Sequence, residues 1–136
     1  MIHLLDSDTC IRYLNRRSLA IRNRLDQTNP TLVRLCSVVK AELFCGAYKS
    51  QNPERTTEKL ARFFAEFDSL PFDDPAAEVY GRIRSELEKK GEPIGGNDLM
   101  IAAIAVTHNA TLVTNNTREF SKVPGLRWET WEAAPS

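Results

Sequence analysis

The sequence predicts an α/β fold, a three-layer α/β/α sandwich with a central parallel sheet. Three observations carry this. Short apolar or β-branched runs at residues 2–5, 31–37 and 110–114 are nearly continuous, not alternating, as in strands covered on both faces. Segments of helical periodicity separate these runs, so strand and helix alternate along the chain. The length, 136 residues, suits one domain over 1–136 and suffices for a core without disulfides or structural metal.

The elements follow in order. Residues 2–5 form a short strand that ends at Asp6. Asp6-Ser7-Asp8 then offers capping side chains for a helix through Cys10, Ile11 and Leu14. Ser18 caps a second helix containing Leu19, Ile21, Arg22 and Leu25. Residues 31–37 read as a second strand and 38–48 as a helix. Asn52-Pro53-Glu54 combines a cap, a proline at the first helical position and an acid. Leu60, Phe63, Phe64 and Phe67 give that helix its buried stripe. Leu70-Pro71-Phe72 reads as a strand near a sheet edge, because proline cannot donate to a ladder. Asp74-Pro75 opens a helix whose Ala76, Val79, Tyr80, Ile83 and Leu87 share one face. Glu78–Arg82 and Glu86–Lys90 are spaced as ion pairs on its wet side, and Gly91 suits its end. Asn97 or Asp98 starts a nearly all-apolar helix over 99–106. Residues 110–114 and 126–128 supply the last strands.

Composition narrows the partners. Formal net charge is zero, so any nucleic-acid contact rests on a local patch. The dense basic stretch is Arg12, Arg16, Arg17, Arg22 and Arg24. It fits phosphate contacts, a solvated helix face or a protein-binding surface equally well. The three cysteines, Cys10, Cys36 and Cys45, are odd in number and form no CxxC. They read as reduced core residues of a cytoplasmic protein. No apolar run approaches the ~20 residues of a membrane span, and the start is too short and acidic for a signal peptide.

In open parallel sheets, ligands bind beyond the carboxyl ends of the strands. The first strand delivers Asp6 to that edge, and the 110–114 strand delivers Asn115 and Asn116. Glu42 is flanked at helical spacing by Val38, Val39, Cys45 and Gly46, and Asp98 by Ile94, Gly95, Ile101 and Ala102. Carboxylates on such faces need donors or a cation. No Lys or Arg lies within a turn of Asp98, and only Lys40 is near Glu42. Acids sharing one site would repel each other, and a hard divalent cation, Mg²⁺ or Mn²⁺, removes the conflict.

Each residue also has a plainer reading. Asp8 fits an N-cap or a ligand, and Asp98 a cap. Glu42 fits a pair with a distant arginine. Asn116-Thr117-Arg118-Glu119 fits a capping box, which makes Glu119 structural. His3 reads as a core or sheet-edge residue and His108 as a helix end. Trp128 and Trp131 read as packing residues.

Four motifs then appear in order: Leu4-Leu5-Asp6-Ser7-Asp8; Ala41-Glu42-Leu43; Gly96-Asn97-Asp98-Leu99-Met100-Ile101-Ala102-Ala103; and Leu112-Val113-Thr114-Asn115-Asn116-Thr117-Arg118-Glu119-Phe120. With Pro93-Ile94-Gly95 and Val123-Pro124-Gly125-Leu126, the set closely resembles PIN-domain proteins, specifically VapC-type toxins of toxin–antitoxin pairs. The likeness covers nearly the whole chain. It implies a Mg²⁺- or Mn²⁺-dependent endoribonuclease, often acting on transfer RNA, and a homodimer. It also implies a cognate VapB-type antitoxin whose tail inserts a basic residue into the acidic pocket. The family's first metal-binding acid falls on Asp6, its glutamate on Glu42 and its third acid on Asp98. The fourth position, often Asp, falls on Asn116, which removes one charge and weakens a second metal site.

Two rival readings remain at this level. A haloacid-dehalogenase-like phosphatase would use Asp6 of the Asp6-Ser7-Asp8 pattern, but leaves Glu42 unexplained and finds no cap domain in this length. The second is a catalytically inactive binding or signalling domain; a phospho-receiver of that kind would need a central acceptor such as Asp73 and a late lysine such as Lys122.

Overall fold

The computed structural model describes residues 1–132. Its strands are β1 (His3–Leu5), β2 (Val33–Cys36), β3 (Asp68–Leu70), β4 (Thr111–Val113) and β5 (Arg127–Glu129). Its helices are α1 (Ser7–Leu14), α2 (Leu19–Gln27), α3 (Ser37–Tyr48), α4 (Pro53–Phe64), α5 (Asp74–Lys89), α6 (Gly96–Thr107) and α7 (Thr117–Phe120). The strands form one sheet in the order β3-β2-β1-β4-β5, and each neighbouring pair is parallel. The chain winds outward from β1 to β3 and resumes on the other side at β4. The order therefore reverses between β1 and β4, where open parallel sheets place their ligands.

The three central strands β1, β2 and β4 are largely buried, as their continuous apolar runs require, while the edge strands β3 and β5 are mostly exposed. Leu4, Leu5, Val33, Leu35 and Leu112 have no exposed surface. Six residues of α6, Leu99 and Ile101–Ala105, are buried, so this helix is apolar nearly all round because it is covered nearly all round. Among the described residues, no helix is long and apolar enough to cross a membrane.

Local chemistry sets the boundaries. Ser18 caps α2 by accepting from the Ile21 amide at 3.1 Å, and Asn52 caps α4 through Arg55 at 3.1 Å. At the end of α5, Gly91 takes φ +71°. Its amide donates to the Glu88 carbonyl at 3.1 Å, and Glu92 donates to Leu87 at 2.9 Å. This pairing closes a helix through a left-handed residue.

Several expectations shift. The strand expected over 31–37 shortens to Val33–Cys36. Asn29 and Pro30 start a 3₁₀ turn over Pro30–Leu32, and Ser37 already belongs to α3. The strand expected at Leu70-Pro71-Phe72 is Asp68–Leu70; it does lie at an edge, and it stops where proline removes the N–H. On α5 the ion pairs are Arg82–Glu86 at 3.9 Å and Arg84–Glu88 at 2.9 Å, not the pairs expected from spacing. Helix α6 starts at Gly96 with Gly95 as its cap, so Asp98 is its third residue and no cap. Cys10 and Cys36 are buried, but Cys45 is exposed. Trp131 packs in the core, whereas Trp128 is exposed.

Ile104 is fully buried and sits mid-helix in the layer that covers the sheet. Ile104→Ala should cost roughly 2–5 kcal/mol of stability, read as a lower urea midpoint with an unchanged denaturant slope.

Candidate functional site

The site begins where β1 stops. The Asp6 amide donates to the Val113 carbonyl at 3.1 Å, which carries the β1–β4 ladder one residue past the strand. Its side chain turns back as the N-cap of α1, accepting from the Thr9 amide at 2.9 Å. Asp6 is 4% exposed. Burial pushes its carboxyl above the usual range, helped by the Asp8 charge, and contacts from Thr114 and Thr9 oppose the shift. The expected cap at Asp8 is therefore replaced. Asp8 lies inside the first turn and accepts from Arg12 Nε at 2.9 Å and Asn115 Nδ2 at 3.2 Å.

Glu42 comes from α3, whose start at Ser37 follows β2 directly. Its Oε1 accepts from the Ser7 hydroxyl at 2.6 Å. Asp98 comes from the first turn of α6, where the helix dipole favours an anion. Its Oδ2 accepts from Asn116 Nδ2 at 3.1 Å. Burial raises the Asp98 carboxyl first, and the charges on Glu42, Asp6 and Glu119 raise it further against the Asn116 contact. Four elements thus bring Asp6, Glu42, Asp98 and Asn116 to one edge of the sheet. A cleft of about 600 Å³ opens beside Glu42 between α3 and α6, with Val38, Cys45, Asn97 and Met100 in its walls.

Asn115 lies at the strand edge as expected, whereas Ser7, Thr9 and Thr114 carry no sequence signal that separates them from ordinary capping or strand-end residues. The capping box expected to hold Glu119 does not form. Asn116 occupies the cap position of α7 without a side-chain cap bond, because its amide faces Asp98 instead. Glu119 pairs with Lys122 at 3.6 Å and adds its charge to the field on Asp98. Its offset of three residues from Asn116 would equally place an acid at the strand end, and that was the available signal.

The basic stretch is mostly engaged within the fold. Arg12 also bonds Glu132 at 2.9 Å. Arg22 donates to the Tyr13 carbonyl at 3.1 Å and lies over the Tyr13 ring. Arg24 lies 3.6 Å from Glu129 and over Trp131. Arg16 and Arg17 are exposed. His3 bonds Glu129 at 3.1 Å, and His108 ends α6 at the opposite end from Asp98. The described contacts of the two histidines leave the acids without an imidazole partner.

Among the described residues, no ion pair joins Asp6, Glu42 or Asp98 to a lysine or arginine. Nor do three acidic, histidine or cysteine side chains already close a finished cage. The donors are carboxylate oxygens with surplus negative charge and hydroxyl and amide neighbours. Such a set suits a hard divalent cation, which would relieve the repulsion felt by Asp98.

The chain is similar to known proteins along nearly its whole length. The PIN domain family model matches residues 3–126. The chain is 38% identical to Ribonuclease VapC2 of Rickettsia felis, covering 97% of this chain and 99% of that protein. It is 41% identical to the tRNA(fMet)-specific endonuclease VapC of Shigella flexneri, covering 94% and 96%. Among solved structures, VapBC2 from Rickettsia felis bound to a promoter DNA fragment superposes with a TM-score of 0.90 at 38% identity, covering 97% of this chain and 100% of that one.

The raised Asp98 carboxyl has a measurable consequence. Between 3.8 and its raised value, the folded state binds more protons than the unfolded state, so stability falls as pH rises through that window. The penalty is complete above the raised value and absent below the unfolded one. In EDTA at pH 7, Asp98→Asn should therefore melt above wild type, because the amide still accepts from Asn116 without the charge. At pH 3 the two should melt together, and a lower melting temperature for the variant at pH 7 would contradict the crowding.

Proposed function

The chain belongs to the PIN-domain family, and from that premise we propose that it is the toxin of a toxin–antitoxin pair, a divalent-metal-dependent endoribonuclease. One observation carries the site assignment. The charges of Glu42, Asp6 and Glu119 all bear on Asp98; Lys122 pairs with Glu119, but among the described residues no lysine or arginine pairs with Asp6, Glu42 or Asp98. Mg²⁺ or Mn²⁺ fits that deficit. Asp6 and Asp98 would hold it, with Glu42 as a further ligand directly or through water. A cation held there would supply positive charge for the scissile phosphate and make water a better nucleophile near neutral pH.

The remaining steps belong to the protein. Ser7 holds one Glu42 oxygen at 2.6 Å, which leaves the other to orient the attacking water. Asn116 steadies Asp98 through its amide without adding charge. It stands where relatives often carry a fourth carboxylate, which supports one metal more than two. Attack in line with the leaving oxygen leaves a 5′-phosphate and a 3′-hydroxyl. The two histidines offer no acid–base pair at the acids, which argues against a 2′-hydroxyl mechanism.

Transfer RNA is the proposed substrate class, since a relative 41% identical over nearly the whole chain is named a tRNA(fMet)-specific endonuclease. The proposed partner is a VapB-type antitoxin, as in the VapBC complexes of similar fold. A basic side chain from that partner would meet the same uncompensated acids. A homodimer completes the proposal. The phospho-receiver reading loses support: Asp73 accepts from the Ala76 amide at 3.2 Å as the cap of α5, and Lys122 pairs with Glu119.

Purified protein should cleave RNA with Mg²⁺ or Mn²⁺, stop in EDTA, and lose about 100-fold or more in Asp98→Asn. Cleavage that survives chelation, or equal rates for the two proteins, would overturn the mechanism. Sequencing the cut ends identifies the RNA.

A further inference from the structure

We propose that a closed ring of hydrogen bonds through Asp8, Arg12, Glu132, Thr130 and Asn115 is a positioning device that sets Asp98 for metal through the Asn116 amide. This rests on the metal-site reading above. The ring can be followed atom by atom. Arg12 Nε donates to Asp8 Oδ2 at 2.9 Å, and Arg12 Nη1 donates to Glu132 Oε2 at 2.9 Å. The Glu132 amide donates to Thr130 Oγ1 at 3.1 Å. The Thr130 hydroxyl donates to Asn115 Oδ1 at 2.7 Å. Asn115 Nδ2 donates to Asp8 Oδ2 at 3.2 Å and closes the circuit. The Ser18 hydroxyl braces Glu132 from the cap of α2.

Isolated exposed ion pairs contribute little, but several charges in one network constrain geometry. Here every member has two partners within the ring, and the ring joins three separate segments: α1, the turn after β4 and the chain beyond β5. Asn115 is the member next to the site. On its other side, the Asn116 backbone N–H donates to Thr114 Oγ1 at 2.9 Å. The Asn115–Asn116 turn is therefore gripped from both ends, and Asn116 Nδ2 is aimed at Asp98 Oδ2. Partners of this kind orient ligands without touching the metal.

Two variants break the ring outside the site. Thr130→Val removes a link without changing charge. Arg12→Gln removes a cation, so a purely electrostatic influence would tighten Mn²⁺ binding, whereas loss of positioning loosens it. Calorimetric titration with Mn²⁺ should show both variants binding about 10-fold more weakly than wild type. In an Asn116→Ala background, the same substitutions should change affinity little, because the path to Asp98 is already cut. Unchanged or tighter binding in the single variants, or equal losses in both backgrounds, would overturn the inference. Absence of Mn²⁺ binding by wild type would instead overturn the metal reading. NMR of the metal-free protein then decides the ring. The Asn116 side-chain amide signals, identified by their loss in Asn116→Ala, should move toward free-asparagine positions in both ring variants. Signals that stay in place would overturn the inference.

Discussion

β1 pairs with β4 through His3 with Thr111, Leu4 with Leu112 and Leu5 with Val113, and the Asp6 amide adds one more bond to the Val113 carbonyl. That extension fixes where the first acid emerges, and it brings the turn after β4 alongside the start of α1. The constraint is one of register. A one-residue slip of β4 would turn its side chains to the other face and carry Thr114, Asn115 and Asn116 away from Asp6 and Asp98. The other acids depend on the same sheet edge, because α3 begins immediately after β2 and α6 has its first turn there.

The electrostatics of that edge oppose the stability of the fold. Asp6 is buried as a helix cap, and the Thr9 and Thr114 contacts only partly offset its desolvation. Asp98 has one amide contact against three neighbouring carboxylates. A core built for stability alone would place an uncharged residue at either position. The strain is concentrated at helix starts, where dipoles and free N–H groups lessen its cost, while the sheet and α6 supply the burial that tolerates it. Stability and function therefore pull in opposite directions at the same few side chains.

The layered fold was legible because its signals are local. Continuous apolar strands, Asn52-Pro53, Asp74-Pro75 and the apolar run of α6 each declare an element without knowledge of its neighbours. The grouping of Asp6, Glu42 and Asp98 was legible from apolar flanks and strand ends. What stayed hidden depends on side chains that meet across the sheet. No spacing indicates that Asn116 forgoes its cap position to face Asp98, that Glu119 joins the acidic field, or that Asp6 rather than Asp8 caps α1. The ion pairs of α5 failed for a similar reason: Arg82, Arg84, Glu86 and Glu88 all fit the i,i+4 rule in some pairing, and rotamer packing chooses among them. Cys45 failed because its helix face borders an open cleft, which a helical pattern alone does not distinguish from core.

That last residue gives the molecule an unusual chemical asymmetry. Cys10 and Cys36 are sealed in the interior, and burial pushes both thiols upward, away from the reactive thiolate. Cys45 stands in the open one helical turn beyond Glu42. An alkylating dye or spin label added to the folded protein will therefore attach at one place, on the wall of the α3–α6 cleft. The native sequence carries its own handle for a spectroscopic reporter, with no engineered cysteine and no substitution among the acids.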